Sequence, residues 1–138
     1  MKTLHLQTRA EEMADITAQV QAAVDESGVA EGLCCVYCPH TTAALTINEN
    51  ADPDVARDIL YALGQSFPPH AAFRHFEGNS AAHVKASVLG AAVTVPVQAG
   101  RLGLGRWQGI FFCEFDGPRT RQYTVTVLGT AQNAQPAP

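Results

Sequence analysis

The chain has 138 residues, 46% of them hydrophobic and 16% charged; that fits one domain with a real core and excludes an intrinsically disordered protein. Nine basic residues stand against thirteen acidic ones, a net charge of −4, which excludes a strongly basic nucleic-acid footprint but leaves a local anion site open. No apolar run reaches the ~18 residues of a membrane span, and residues 1–6 lack the apolar stretch of a signal peptide, so a cytoplasmic protein with no membrane partner is expected.

In chain order, Leu4 and Leu6 alternate with His5 and Gln7, the pattern of a first strand. Met13, Ile16, Val20, Ala23 and Val24 recur at helical spacing. Thr8 and Glu11 form a capping box ahead of that helix, and Ser27-Gly28 ends it. Residues 33–38 (LCCVYC) read as a buried strand and residues 43–48 (AALTIN) as another. Asp52-Pro53 starts a second helix, with Val55, Ile59, Leu60 and Leu63 as its apolar stripe. Residues 64–78, with two prolines, two histidines and three phenylalanines, are expected to form a packed loop. A short helix capped by Asn79 or Ser80 runs to Leu89 and stops at Gly90. Strands follow at about 92–97, 106–115 and 121–128. This order argues an α+β fold with a mixed or antiparallel sheet and a few helices. A single domain over 1–129 and a disordered tail over 130–138 are expected.

The chemistry-bearing residues begin with five histidines, of which His40, His75 and His83 draw attention. His40 follows a buried strand and opens the run His40-Thr41-Thr42; His75 lies in the long loop and His83 on the helix after it. A lone histidine is more often structural, but converging imidazoles make a metal or acid–base site. Asn48, Glu49, Asn50 and Asp52 occupy a strand-to-helix junction. Asp52 has a capping role, which leaves Glu49 and Asn50 as the better ligand or metal contacts. The run Gly100-Arg101-Leu102-Gly103-Leu104-Gly105-Arg106 lies between strands, so it is no dinucleotide fingerprint, and its arginines could touch an anion. Along 106–115, Trp107, Gly109, Phe111, Cys113 and Phe115 share one face, and Gln108, Ile110, Phe112 and Glu114 the other. Gln108 and Glu114 are therefore site or interface candidates, unless Glu114 pairs with Arg119 or Arg121. Cys34 and Cys38 would sit roughly 13 Å apart along a strand, which points the cysteines to packing rather than chelation.

Several of these segments together resemble the YjbQ-like family: residues 40–50 (HTTAALTINEN), Asp52-Pro53 and Arg57-Asp58, residues 83–90 (HVKASVLG), and residues 105–110 (GRWQGI) with Glu114. The likeness covers nearly the whole chain in the family's order and spacing. It implies a compact α+β fold, a homotrimer, and a pocket near a subunit boundary built from His40, Asn48, Glu49, His75, His83, Gln108 and Glu114. The family is often labelled secondary thiamine-phosphate synthase. The label implies a transferase that joins a pyrimidine diphosphate to a thiazole phosphate, with a phosphorylated small molecule as substrate. On that reading His40, His75, His83 and Glu49 are catalytic, and Asn48, Asn50, Lys85, Arg101, Arg106, Gln108 and Glu114 contact substrate. A divalent metal, zinc or magnesium, would sit on His40, His75 and His83. Two alternatives remain: a non-catalytic trimeric ligand- or metal-binding protein, and a metal-dependent hydrolase with Glu49 as base. The sequence departs from the family pattern twice. Asn79-Ser80-Ala81-Ala82 carries no carboxylate before His83, and Arg106 stands where the family usually has threonine.

Overall fold

The computed structural model describes residues 1–131 as two antiparallel sheets with three helices. The strands are β1 (Lys2–Gln7), β2 (Glu12–Asp15), β3 (Gly32–Tyr37), β4 (Ala43–Glu49), β5 (Ala92–Gln98), β6 (Arg101–Leu102), β7 (Gln108–Glu114) and β8 (Thr120–Gly129). The helices are α1 (Thr17–Ser27), α2 (Pro53–Ser66) and α3 (Ser80–Leu89). One sheet runs β1-β8-β3-β5-β6 and the other β2-β7-β4.

Alternation along β7 decides the layering. Ile110 and Phe112 face the larger sheet and meet Cys34, Val36, Val95, Val97, Tyr123 and Val125. Ile16, Val20, Ala23 and Val24 of the α1 segment complete this core. On the other face of the small sheet, Ala44, Phe111, Cys113 and Phe115 pack on Ala82 and Ala86 of α3. The small sheet is thus buried on both faces, which explains why residues 109–114 are all buried. Each fully buried Val, Leu or Phe here contributes roughly 1.5–3 kcal/mol.

Two expectations about the N-terminal region are corrected. Met13 and Ala14 belong to β2, paired with Cys113 and Phe112, and the helix starts only at Thr17. The three-residue spacing of Met13 and Ile16 suits a helix, but backbone pairing with β7 overrides it in so short a segment. Thr8 and Glu11 form no capping box. The Thr8 hydroxyl donates to Glu114 at 2.6 Å, Glu11 pairs with Lys85, and Asp15 accepts the Thr17 N–H at 2.9 Å.

The second helix starts as its residues dictate. Asp52 accepts the Asp54 N–H at 2.9 Å and Pro53 occupies the first turn. Its stripe of Val55, Ile59, Leu60 and Leu63 is only half-buried, and no α2 residue is fully buried. The following segment is not packed either, contrary to expectation. Residues 68–78 are exposed throughout, and Phe76 is fully so. Thr130 is tied to the Glu31 carbonyl through its N–H at 2.9 Å; the remainder of the expected tail, 132–138, lies outside the described residues.

Gly32 is flanked by β5 and β8, and a Cβ added there would meet the Leu128 carbonyl oxygen at 1.9 Å. Gly32→Ala is expected to cost about 2–3 kcal/mol in urea unfolding, because the clashing atom is backbone and cannot rotate away. An unchanged unfolding midpoint would contradict this close approach.

Candidate functional site

Three connections meet at one end of the two sheets: β3 to β4, α2 to α3, and β7 to β8. They enclose a cavity of about 370 Å³, of the size that takes a small metabolite. His40, Thr41 and Thr42 enter from the first connection. His75, Glu77 and Asn79 come from the second, His83 from α3, and Asp116, Arg119 and Arg121 from the third and β8. The three histidines singled out from sequence therefore line a single cavity.

The floor is a buried ion pair. Glu114 and Arg121 occupy inward positions on β7 and β8, where their neighbours Phe112 and Tyr123 are core residues. Glu114 is fully enclosed and Arg121 nearly so. The guanidinium is bidentate: Nε donates to Oε1 at 2.7 Å and Nη2 to Oε2 at 2.6 Å. Nη2 also donates to Thr42 Oγ1 at 2.7 Å. Burial alone would raise the Glu114 carboxyl, but hydrogen bonds from Arg121, Thr8 and the Asp116 N–H hold it below the usual carboxylate value. Among the described residues, Arg121 Nη1 makes no hydrogen bond, and Arg121 lines the cavity.

Arg119 is oriented through Asp116. Its Nε donates to the Asp116 carbonyl at 2.8 Å and its Nη2 to Asp116 Oδ2 at 3.1 Å. The same Oδ2 accepts Asn79 Nδ2 at 2.8 Å, which leaves Asn79 Oδ1 buried with no donor. His75 and His83 meet edge to face, ring centroids 5.4 Å apart. His40 Nε2 lies 3.1 Å from the Gln122 carbonyl and 3.0 Å from the Gln122 N–H, and its ring packs edge-on to Phe112.

Burial and then the nearby Arg121 charge push the His40 imidazole below its ordinary 6.5. A depressed folded value means that the unfolded chain binds the extra proton first. Stability is therefore unaffected above about 6.5 and falls as pH drops below it towards the folded value. A His40→Gln variant is expected to lose that part of the pH dependence in urea unfolding between pH 7 and 5. An identical slope in parent and variant would contradict it.

The other sequence candidates lie elsewhere. Glu49 pairs with Gln108 and Asn48 with Gly109 at the far end of β4 and β7, roughly 20 Å from the Ala43–Glu114 end at strand spacing. Asn50 donates to Asp15 at 3.2 Å. Lys85 is buried against Glu11 at 2.9 Å, and Arg106 stacks on Trp107. Arg101 lines a larger cavity of about 720 Å³ beside α1. There several polar groups pair with one another: Gln21 binds Asp25, Gly100 and Leu102, and Asn50 binds Asp15, while the Arg101 guanidinium makes no hydrogen bond among the described residues. The smaller cavity is chemically the better site, because it alone of the two gathers imidazoles and guanidinium groups. Arg119 and Arg121 were seen in the sequence only as partners for Glu114. The stronger signal was an arginine on the inward parity of β8, in step with Tyr123 and Val125.

Among the described residues, no three His, Cys, Asp or Glu side chains are placed to hold a metal ion. The main chain of Gln122 occupies His40 Nε2, which takes one of that ring's two nitrogens out of a three-histidine ligand set. The four cysteines are free. Burial pushes Cys34 up to about 11 and Cys113 up to about 12, so both are packing thiols rather than nucleophiles.

These features define a two-sheet α+β domain with a histidine- and arginine-lined polar cavity at one sheet end. The chain belongs to the UPF0047 protein YjbQ-like family, whose model matches residues 2–130. It is 53% identical over 131 residues to UPF0047 protein YugU of Bacillus subtilis, covering 94% of this chain and 99% of that one. A UPF0047 protein of Archaeoglobus fulgidus is 45% identical over 119 residues, 85% of this chain and 91% of its own. Among solved structures, an uncharacterized conserved YjbQ/UPF0047 protein from Clostridium acetobutylicum superposes with a TM-score of 0.91 at 51% identity. The match covers 93% of this chain and 100% of that one. A protein of unknown function from Sulfolobus solfataricus gives 0.89 at 37% identity, covering 94% and 96%. No helix among the described residues is long and apolar enough to cross a membrane.

Proposed function

We propose that the cavity binds a phosphorylated small molecule and transfers a group from it, in the manner of a thiamine-phosphate synthase. In that reaction the bond from the pyrimidine's methylene carbon to its diphosphate breaks, and the electron pair leaves with the pyrophosphate. The same carbon is captured by the ring nitrogen of a thiazole phosphate. The observation that carries the reading is the convergence of His40, His75 and His83 with Arg119 and Arg121 on one cavity. Guanidinium groups suit phosphate oxygens geometrically, and they neutralise charge building on a leaving diphosphate. The imidazoles can donate to that oxygen as it departs. Inorganic pyrophosphate is the simplest probe. Calorimetry should find binding to the parent, loss of about tenfold in affinity for Arg119→Ala, and no change for Arg101→Ala in the other cavity. Equal effects of the two substitutions would contradict the placement.

The same reading includes a homotrimer. The half-covered stripe of α2 and the exposed Phe73 and Phe76 support it, because an isolated chain rarely leaves such a surface to water. Sedimentation should return three times the 14.7 kDa chain mass; a monomer at micromolar concentration would contradict it. Four free thiols, three of them buried, suit a reducing cytoplasm.

A further inference from the structure

Resting on the reading of the cavity as an anion site, we infer that Glu114 is a positioning residue: it meets no ligand, but fixes which edge of Arg121 does. Glu114 is fully enclosed, and both its oxygens are in use. Oε1 accepts Arg121 Nε at 2.7 Å and the Thr8 hydroxyl at 2.6 Å. Oε2 accepts Arg121 Nη2 at 2.6 Å and the Asp116 N–H at 3.1 Å. A carboxylate offers about four acceptor sites, so none is left for a substrate.

The guanidinium is planar, so fixing two nitrogens fixes the third. Glu114 holds Nε and Nη2, and Thr42 closes Nη2 from the other side. Nη1 is the edge left for an anionic oxygen. A lysine at 121 would offer three donors from one freely rotating nitrogen, without the planar fork by which holding one edge aims another. The hold extends further. Through the Asp116 N–H, Glu114 anchors the turn whose carbonyl and carboxylate orient Arg119. One enclosed carboxylate thus sets the direction of both arginines.

The test is a two-by-two set of Glu114→Gln and Arg121→Met, read by pyrophosphate calorimetry and by solvent exchange of the Arg121 Nε–H in ¹⁵N NMR. Glu114→Gln is expected to weaken pyrophosphate about tenfold in the parent background and less than about twofold in Arg121→Met, because its effect passes through the guanidinium. Exchange of the Nε–H should rise at the same time, a change that loss of overall stability alone would not confine to one side chain. If Glu114→Gln does not fold, Thr42→Val carries the same test, with an expected loss of about threefold in the parent background only. Equal losses in both backgrounds overturn the inference. So does a folded Glu114→Gln protein with parental affinity and parental Nε–H exchange. A parent that binds no pyrophosphate contradicts the anion reading of the cavity instead; the positioning role then stands or falls on the Nε–H exchange in Glu114→Gln.

Discussion

Arg121→Met is expected to remove about 3–5 kcal/mol of stability in urea unfolding, the largest loss expected of a single polar substitution in this protein. It leaves the Glu114 carboxylate enclosed, with its two best donors gone. The cost is that of an uncompensated buried charge rather than of the contact itself. The double variant Glu114→Leu/Arg121→Met should therefore recover most of the loss, since replacing both partners by apolar groups is often neutral. If the double variant is as unstable as the single one, the pair is not the origin of the cost. The same pair sets an acid limb. The hydrogen-bonded Glu114 carboxyl lies below its ordinary 4.5, so its contribution is complete above that value and is lost as pH falls through the folded value. Arg121→Met should abolish that acid limb: with the arginine gone, burial pushes the carboxyl up, and protonation on acidification relieves the buried charge instead of costing stability.

His83→Ala is expected to lower turnover of a pyrimidine diphosphate with a thiazole phosphate about 10²-fold or more, the usual share of a positioned acid or base. His83 sits in the first turn of α3, half-buried and edge-on to His75, and its side chain makes no hydrogen bond among the described residues. The substitution should therefore leave the unfolding midpoint within about 0.5 kcal/mol of parent, as for a surface change. Full turnover in the variant, in an assay where the parent is clearly active, would remove His83 from the chemistry. A matching loss of stability and turnover would assign it to the fold instead.

Strand and helix identity were legible wherever periodicity and punctuation agreed. The stretch from Asp52-Pro53 along the α2 stripe, and the two-faced parity of β7, are cases where local chemistry and tertiary structure point the same way. The β2 strand was not legible, because four residues with one helical spacing carry no periodic signal, and their pairing with β7 depends on contacts a hundred residues away. The loop between α2 and α3 misled for a different reason. Phe73 and Phe76 are apolar enough for a core, yet within one chain they face outward. At the site, the histidines were visible as residue types. Their meeting was not, since it depends on how the β3–β4 connection, the α2–α3 connection and α3 are brought together in the tertiary fold. Glu49 and Gln108 show the reverse case: near His40 and Glu114 in sequence, they lie a full strand length away from them in space.

The most direct test of the cavity as a phosphate site is a titration of the five histidine imidazoles with inorganic pyrophosphate by ¹H–¹⁵N NMR. The resonances of His40, His75 and His83 should move together and saturate at one concentration, while His5 and His70, which do not line the cavity, stay in place. Movement of His5 or His70 with the other three unmoved, or no saturable change at any of the five, would contradict the account.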